Sequence, residues 1–108
     1  MVERGAEIEA VFHALSDPTR RAVVERLRDA PQSVSALAAA HPISLAAFVK
    51  HLAVLEDAGL ITSAKTGRTR WCTLVGGALR PATQWLRDYE DLWNTSIDAL
   101  EAHLEKNP

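Results

Sequence analysis

Lys65, Arg68 and Arg70 bring three positive charges together, and no acid falls between Ser63 and Leu74. Cations at that density on a short segment suit the phosphates of a polyanion, where each neutralised charge releases a counterion. They also suit a hairpin that is merely well solvated. A further cation, Lys50, follows the apolar Leu45, Ala46 and Val49. The single cysteine, Cys72, reads as a small buried hydrophobe, since redox sensing needs an exposed, activated thiolate. Asp98, Glu101, His103 and Glu105 are of types that bind metals. Glu101 and Glu105 share a helix face, but His103 does not join them, so no first shell of three or four ligands forms. No metal or other cofactor is expected. Nothing resembles a glycine-rich phosphate loop, a zinc-protease motif or a nucleophile paired with a base, which argues against an enzyme.

The chain that must position these residues has 108 amino acids, about one domain's worth, read as a single domain over residues 1–108. Its formal net charge is −2, so any polyanion contact depends on where the cations sit. One cysteine excludes an internal disulfide and fits a reducing compartment. Met1 to Gly5 has no apolar signal core behind it. Ala30 to Val49 is uncharged but carries Pro31, Gln32, His41 and Pro42, a poor membrane span. The expectation is a soluble cytoplasmic protein with no membrane partner.

Apolar periodicity orders the chain. Ile8, Val11, Phe12 and Leu15 mark a first helix. Ser16-Asp17-Pro18 punctuates it and caps a second, with Val23, Val24 and Leu27 inward. Ser33 opens a short third helix that buries Val34, Leu37 and Ala38 and closes at His41-Pro42. Ile43 is expected in a buried turn. Ser44 caps a fourth helix to about Ala58, with Phe48, Leu52 and Leu55 inward and Gly59 as its left-handed stop. Leu60–Ala64 and Thr69–Leu74 read as strands around a Thr66-Gly67 tip. A last helix runs from about Leu79 to residue 105, striped by Ala82, Leu86, Tyr89, Trp93, Ile97, Leu100 and Leu104. The fold class is mainly α (α+β): four helices, a β-hairpin wing and a long C-terminal helix. Two short helices around a tight turn, then a hairpin, describe a winged helix-turn-helix, with the helix-turn-helix at about 33–58 and the wing at about 60–74.

Leu15-Ser16-Asp17-Pro18-Thr19-Arg20-Arg21, Ile43-Ser44, the run from Lys50-His51-Leu52 to Ala58-Gly59-Leu60, and the wing's Gly67-Arg68-Thr69-Arg70 with Leu74 carry a resemblance. Together, in this order and spacing, they resemble the ArsR/SmtB family of bacterial repressors along nearly the whole chain. Members typically repress their own operons as dimers paired through the first and last helices. The tryptophan-bearing last helix resembles the subgroup that lacks metal sites.

The resemblance implies a fourth helix in the major groove of double-stranded DNA. The helical wheel turns Leu45, Ala46, Val49 and Lys50 toward that groove, where the family usually carries polar residues. Apolar residues cannot make the bidentate hydrogen bonds that distinguish bases. Either they pack on thymine methyls while Lys50 takes a phosphate or guanine, or they broaden the core face and leave recognition to the wing and DNA shape. Ser44 is a cap whose hydroxyl or adjacent amides also suit a phosphate. His51 is assigned a structural or DNA-backbone role. Lys65, Arg68, Thr69 and Arg70 are assigned to phosphates or the minor groove, whereas Arg20 or Arg21 serves the fold. Ile8, Val11, Phe12, Leu86, Tyr89, Trp93, Ile97, Leu100 and Leu104 are expected to form the homodimer interface, in preference to a ligand pocket. The reading is a sequence-specific homodimeric repressor that senses no metal, with no inducer identifiable. The rivals are a winged-helix protein-interaction module with weak or lost DNA binding, and a metal- or thiol-responsive repressor.

Overall fold

Eight elements follow one another in the computed structural model, which describes residues 4–106; Met1, Val2 and Glu3, read above for a signal segment, lie outside them. They are α1 (Arg4–Leu15), α2 (Pro18–Leu27), β1 (Gln32–Ser33), α3 (Val34–Ala39), α4 (Leu45–Asp57), β2 (Ile61–Thr66), β3 (Thr69–Leu74) and α5 (Arg80–Lys106). This is the expected winged helix-turn-helix, with one addition. Gln32 and Ser33 pair with Cys72 and Trp71, making a three-stranded antiparallel sheet in the order β1-β3-β2.

Local chemistry explains the boundaries. The Arg20 amide donates to Asp17 Oδ2 at 3.1 Å, and Pro18 fills the first turn of α2, where no amide partner is needed. Ser33 and Ser44 cap α3 and α4 in the same way, accepting from the amides of Ala36 and Ala47 at 3.1 Å. Helix α4 stops in a Schellman motif: Gly59 takes φ +77°, its amide reaches Glu56 O, and the Leu60 amide reaches Leu55 O. Leu55 and Leu60, both buried, complete the apolar contact that accompanies this turn.

The core gathers Val11 and Ala14 of α1, Val23 and Leu27 of α2, Leu37 of α3, Phe48, Leu52 and Leu55 of α4, and Ile61 and Cys72 of the sheet. Val11 is 2% exposed, so its expected place on a dimer face is corrected. The apolar stripe of α1 serves two surfaces, and Val11 lies on the inner one. Ile43 is also corrected. It is 40% exposed, and the inward side of the turn is taken by His41, whose ring lies 5.5 Å from that of buried Phe48.

Among the described residues Arg20 is the buried charge, 8% exposed. Its Nε donates to Ala14 O at 2.7 Å, a carbonyl that the end of α1 leaves free, and its Nη2 to His13 O at 3.0 Å, which also accepts from the Ser16 amide and hydroxyl. Arg21 Nη1 donates to Leu15 O at 2.8 Å. Both arginines therefore serve the fold, where at least one was expected to.

Helix α5 touches α1 near its start, where Phe12 meets Trp85 edge-on at 5.9 Å. Past Ala82 every described residue of α5 is exposed, including Leu86, Leu92, Trp93 and Leu100. The molecule measures 69 × 35 × 23 Å with a radius of gyration of 19.1 Å. A compact chain of this length has about 13 Å, so α5 projects from the body.

Candidate nucleic-acid interface

The inward set Phe48, Leu52 and Leu55 fixes the rotation of α4. The residues expected to face a groove are then left outside: Leu45 is 62% and Val49 47% exposed, and Ala46 and Lys50 are exposed beside them. This removes the reading in which they broaden the core. Ser44 stands at the helix start with its hydroxyl accepting the Ala47 amide.

The wing supplies the charge. Thr66 and Thr69 pair across a two-residue tip in which Gly67 alone takes positive φ, +64°, the pattern of a type II′ turn with glycine first. Arg68 stands at that tip. One step inward Lys65 and Arg70 are direct cross-strand partners. Like charges directly opposite destabilise a sheet. Among the described residues Lys50, Lys65 and Arg68 have no carboxylate within ion-pairing distance. The arrangement is explained by an anion outside the protomer better than by hairpin stability.

Alternation along β2 and β3 places Ser63, Lys65, Arg70 and Cys72 on one face of the hairpin, toward α4. There Arg70 Nη1 donates to Ser63 Oγ at 3.1 Å, and Ser63 Oγ donates to Glu56 Oε1 of α4 at 3.2 Å. This bridge between groove helix and wing is absent from the sequence reading. Its signal was available, since Val49, Ala53 and Glu56 recur at steps of four and three on one face of α4.

His51 is placed differently from its neighbours. It is half-buried, with Nδ1 2.9 Å from Arg20 Nη1 and 3.9 Å from Asp17 Oδ2. A guanidinium can only donate, so in the neutral ring Nδ1 accepts and the proton resides on Nε2. One ring nitrogen is thus committed to joining α2 and α4, and only Nε2 remains to donate elsewhere. Partial burial raises the Asp17 carboxyl, but the Arg20 amide, the His51 ring and the Thr19 amide outweigh it, and the net shift is downward.

Cys72 is fully buried. Burial pushes its thiol up, Glu56 adds to the rise and Arg70 partly opposes it. That is the reverse of an activated thiolate, which argues against the thiol-responsive alternative. Among the described residues no three His, Cys, Asp or Glu side chains gather into a metal-binding group. No described helix is long and apolar enough to cross a membrane.

Comparison with known proteins agrees with this geometry. A family model described as a helix-turn-helix domain matches residues 15–64. The HTH-type transcriptional regulator Rv2034 of Mycobacterium tuberculosis is 42% identical over 62 residues, 57% of this chain and 58% of its own length. The match thus spans little more than half of that relative. The transcriptional repressor SdpR of Bacillus subtilis is 28% identical over 79 residues, 73% of this chain and 88% of its own. The crystal structure of an ArsR family transcriptional regulator superposes with a TM-score of 0.80 at 38% identity, covering 87% of this chain and 97% of that one. Likeness of that degree along nearly the full length of both molecules makes this chain a member of the ArsR family of transcriptional regulators.

Proposed function

We propose that the protein represses transcription as a homodimer that occupies promoter DNA, acts in the cytoplasm and performs no catalysis. The observation that carries this reading is the common exposure of Leu45, Ala46, Val49 and Lys50 at the start of α4 beside the unpaired cations of the wing. Within the helix-turn-helix of residues 33–58 it is α4 that enters the major groove, residues 60–74 hold the backbone, and residues 79–105 pair the protomers. Leu45, Ala46 and Val49 pack on thymine methyls, Lys50 takes a phosphate or guanine, and Lys65, Arg68, Thr69 and Arg70 take phosphates or the minor groove. Ser44 presents its end of the helix to a phosphate, and His51 has only Nε2 to offer.

Pairing is supported by the open stripe Leu86, Tyr89, Trp93, Ile97, Leu100 and Leu104, with Ile8 and Phe12 of α1 beside its start. An apolar face that long on one protomer needs a partner, and a second copy presents the same face. The pair sets two groove helices about 34 Å apart, one turn of DNA.

The test is a binding titration on DNA from upstream of the protein's own gene, at two salt concentrations, with mass measured by light scattering. The expected outcome is a dimer that binds selectively and loses affinity steeply with salt. The exposure of Ile43, Leu45 and Val49 also favours a second reading, a winged-helix module that binds another protein. An intact dimer that binds no DNA selectively at low salt would establish that reading instead.

A further inference from the structure

Between α4 and the hairpin lies a cavity of about 220 Å³. Its floor is Leu52, Ile61 and Cys72, all buried. Its rim is Val49, Ala53 and the Glu56–Ser63–Arg70 bridge. We propose that this cavity is a binding site for a small uncharged molecule, largely apolar with one hydrogen-bonding group, whose entry weakens DNA binding.

The chemistry of the walls selects that class. An apolar cavity of about 150 Å³ is enough to hold a benzene ring, so this one admits a single aromatic ring or a fused pair. The floor is uncharged, because burial keeps the Cys72 thiol protonated. At the rim Glu56 and Arg70 present opposite charges a hydroxyl apart, so an anion drawn to the guanidinium also meets the carboxylate, and a cation drawn to the carboxylate also meets the guanidinium. A neutral ligand satisfies both: its N–H or O–H donates to the Glu56 carboxylate, or its oxygen accepts from one of the Arg70 N–H groups that Ser63 does not use. Polar groups placed in this way at the rim fix orientation while apolar walls supply affinity.

Position gives the site its consequence. Val49 belongs to the groove-facing set of α4, and Arg70 to the cationic pair of the wing. A molecule lodged between them moves one against the other and occupies the guanidinium that a phosphate would take. This coupling rests on the DNA-binding reading above; the binding site itself does not.

The experiment titrates the full chain, free of DNA, with indole and with phenol, following amide shifts by NMR. Benzoate and benzylamine serve as the charged counterparts. Saturable shifts confined to residues 49–56, 61–63 and 70–72 are expected with the neutral probes, and binding weaker by about tenfold or more with the charged ones. Ala53→Leu closes the mouth from an exposed helical position that tolerates leucine, and abolishes the shifts without unfolding the chain. No saturable shift with either neutral probe would overturn the proposal. So would equal binding of the charged probes, shifts centred on Trp85 and Trp93, or shifts undiminished in Ala53→Leu. A DNA titration with saturating indole then reads the coupling: a fall in affinity of about fivefold or more supports it, and unchanged affinity refutes it. A protein that binds no DNA fails the regulator reading alone, because the shift titration never involved DNA.

Discussion

Arg20 Nη1 lies 2.9 Å from His51 Nδ1, and the same guanidinium holds the carbonyls of His13 and Ala14. One side chain of α2 thus fastens the end of α1 to the middle of the groove-facing helix. Arg20→Ala strands Ala14 O and His51 Nδ1, since His13 O keeps its bonds from Ser16, and is expected to cost about 2–3 kcal/mol, read as a lower urea midpoint at constant slope. Arg20→Lys does not restore the loss, because one ammonium cannot span acceptors on two helices.

Asp17 sets an acid limit on stability. Its folded carboxyl titrates below the ordinary 3.8. The folded state then binds fewer protons there than the unfolded state, so the contribution is complete above 3.8 and disappears as pH falls through the lowered value. Urea midpoints measured across that acid range should slope for the wild type. Asp17→Asn keeps a capping oxygen and is expected to flatten that slope.

The wing is expected to give opposite responses in the free and bound protein. Lys65→Ala removes one member of a like-charged cross-strand pair. Stability of the free protein stays level or rises by a few tenths of a kcal/mol. DNA affinity falls for every sequence, and the slope of log K against log salt flattens by about 0.9 for one lost phosphate contact. Arg68→Ala, at the tip, shows the same flattening with no change in stability.

Methyl contacts are tested by altering the DNA. Replacing thymidine by deoxyuridine at one contacted position removes a methyl group and leaves every hydrogen-bonding edge intact. Burial of one such group stabilises by about 0.8 kcal/mol, a change of about fourfold in affinity for the wild-type protein. Leu45→Ala or Val49→Ala should lose this sensitivity at the base its side chain covers. Equal binding of both DNAs by the wild type would show that these residues do not read thymine.

Much of this fold was legible because its signals are local. Ser44, Gly59 and the Phe48–Leu52–Leu55 spacing each state a boundary or a face by themselves, and the exposure of residues 45, 46, 49 and 50 follows from that face. What was not legible depends on partners distant in sequence. Strand β1 is two residues long, too short for any period, and exists because β3 has a free edge. Val11 and Phe12 are neighbours in one apolar stripe, yet one meets the core and the other meets Trp85. The Glu56–Ser63–Arg70 bridge joins residues seven apart twice over; spacing marks the face of α4 that holds Glu56, but only the packing of the hairpin against that face brings the three together.

Beyond Trp85 the last helix finds no shelter in its own protomer. An amphipathic helix with no packed face is marginal in water, so in the proposed homodimer ordering of this segment and union of two chains form a single equilibrium. In dilute solution the amount of dimer then grows as the square of the chain concentration, and promoter occupancy inherits that steepness. If the protein is the proposed repressor, it measures its own abundance: scarce, it leaves the gene open, and past a threshold it closes it.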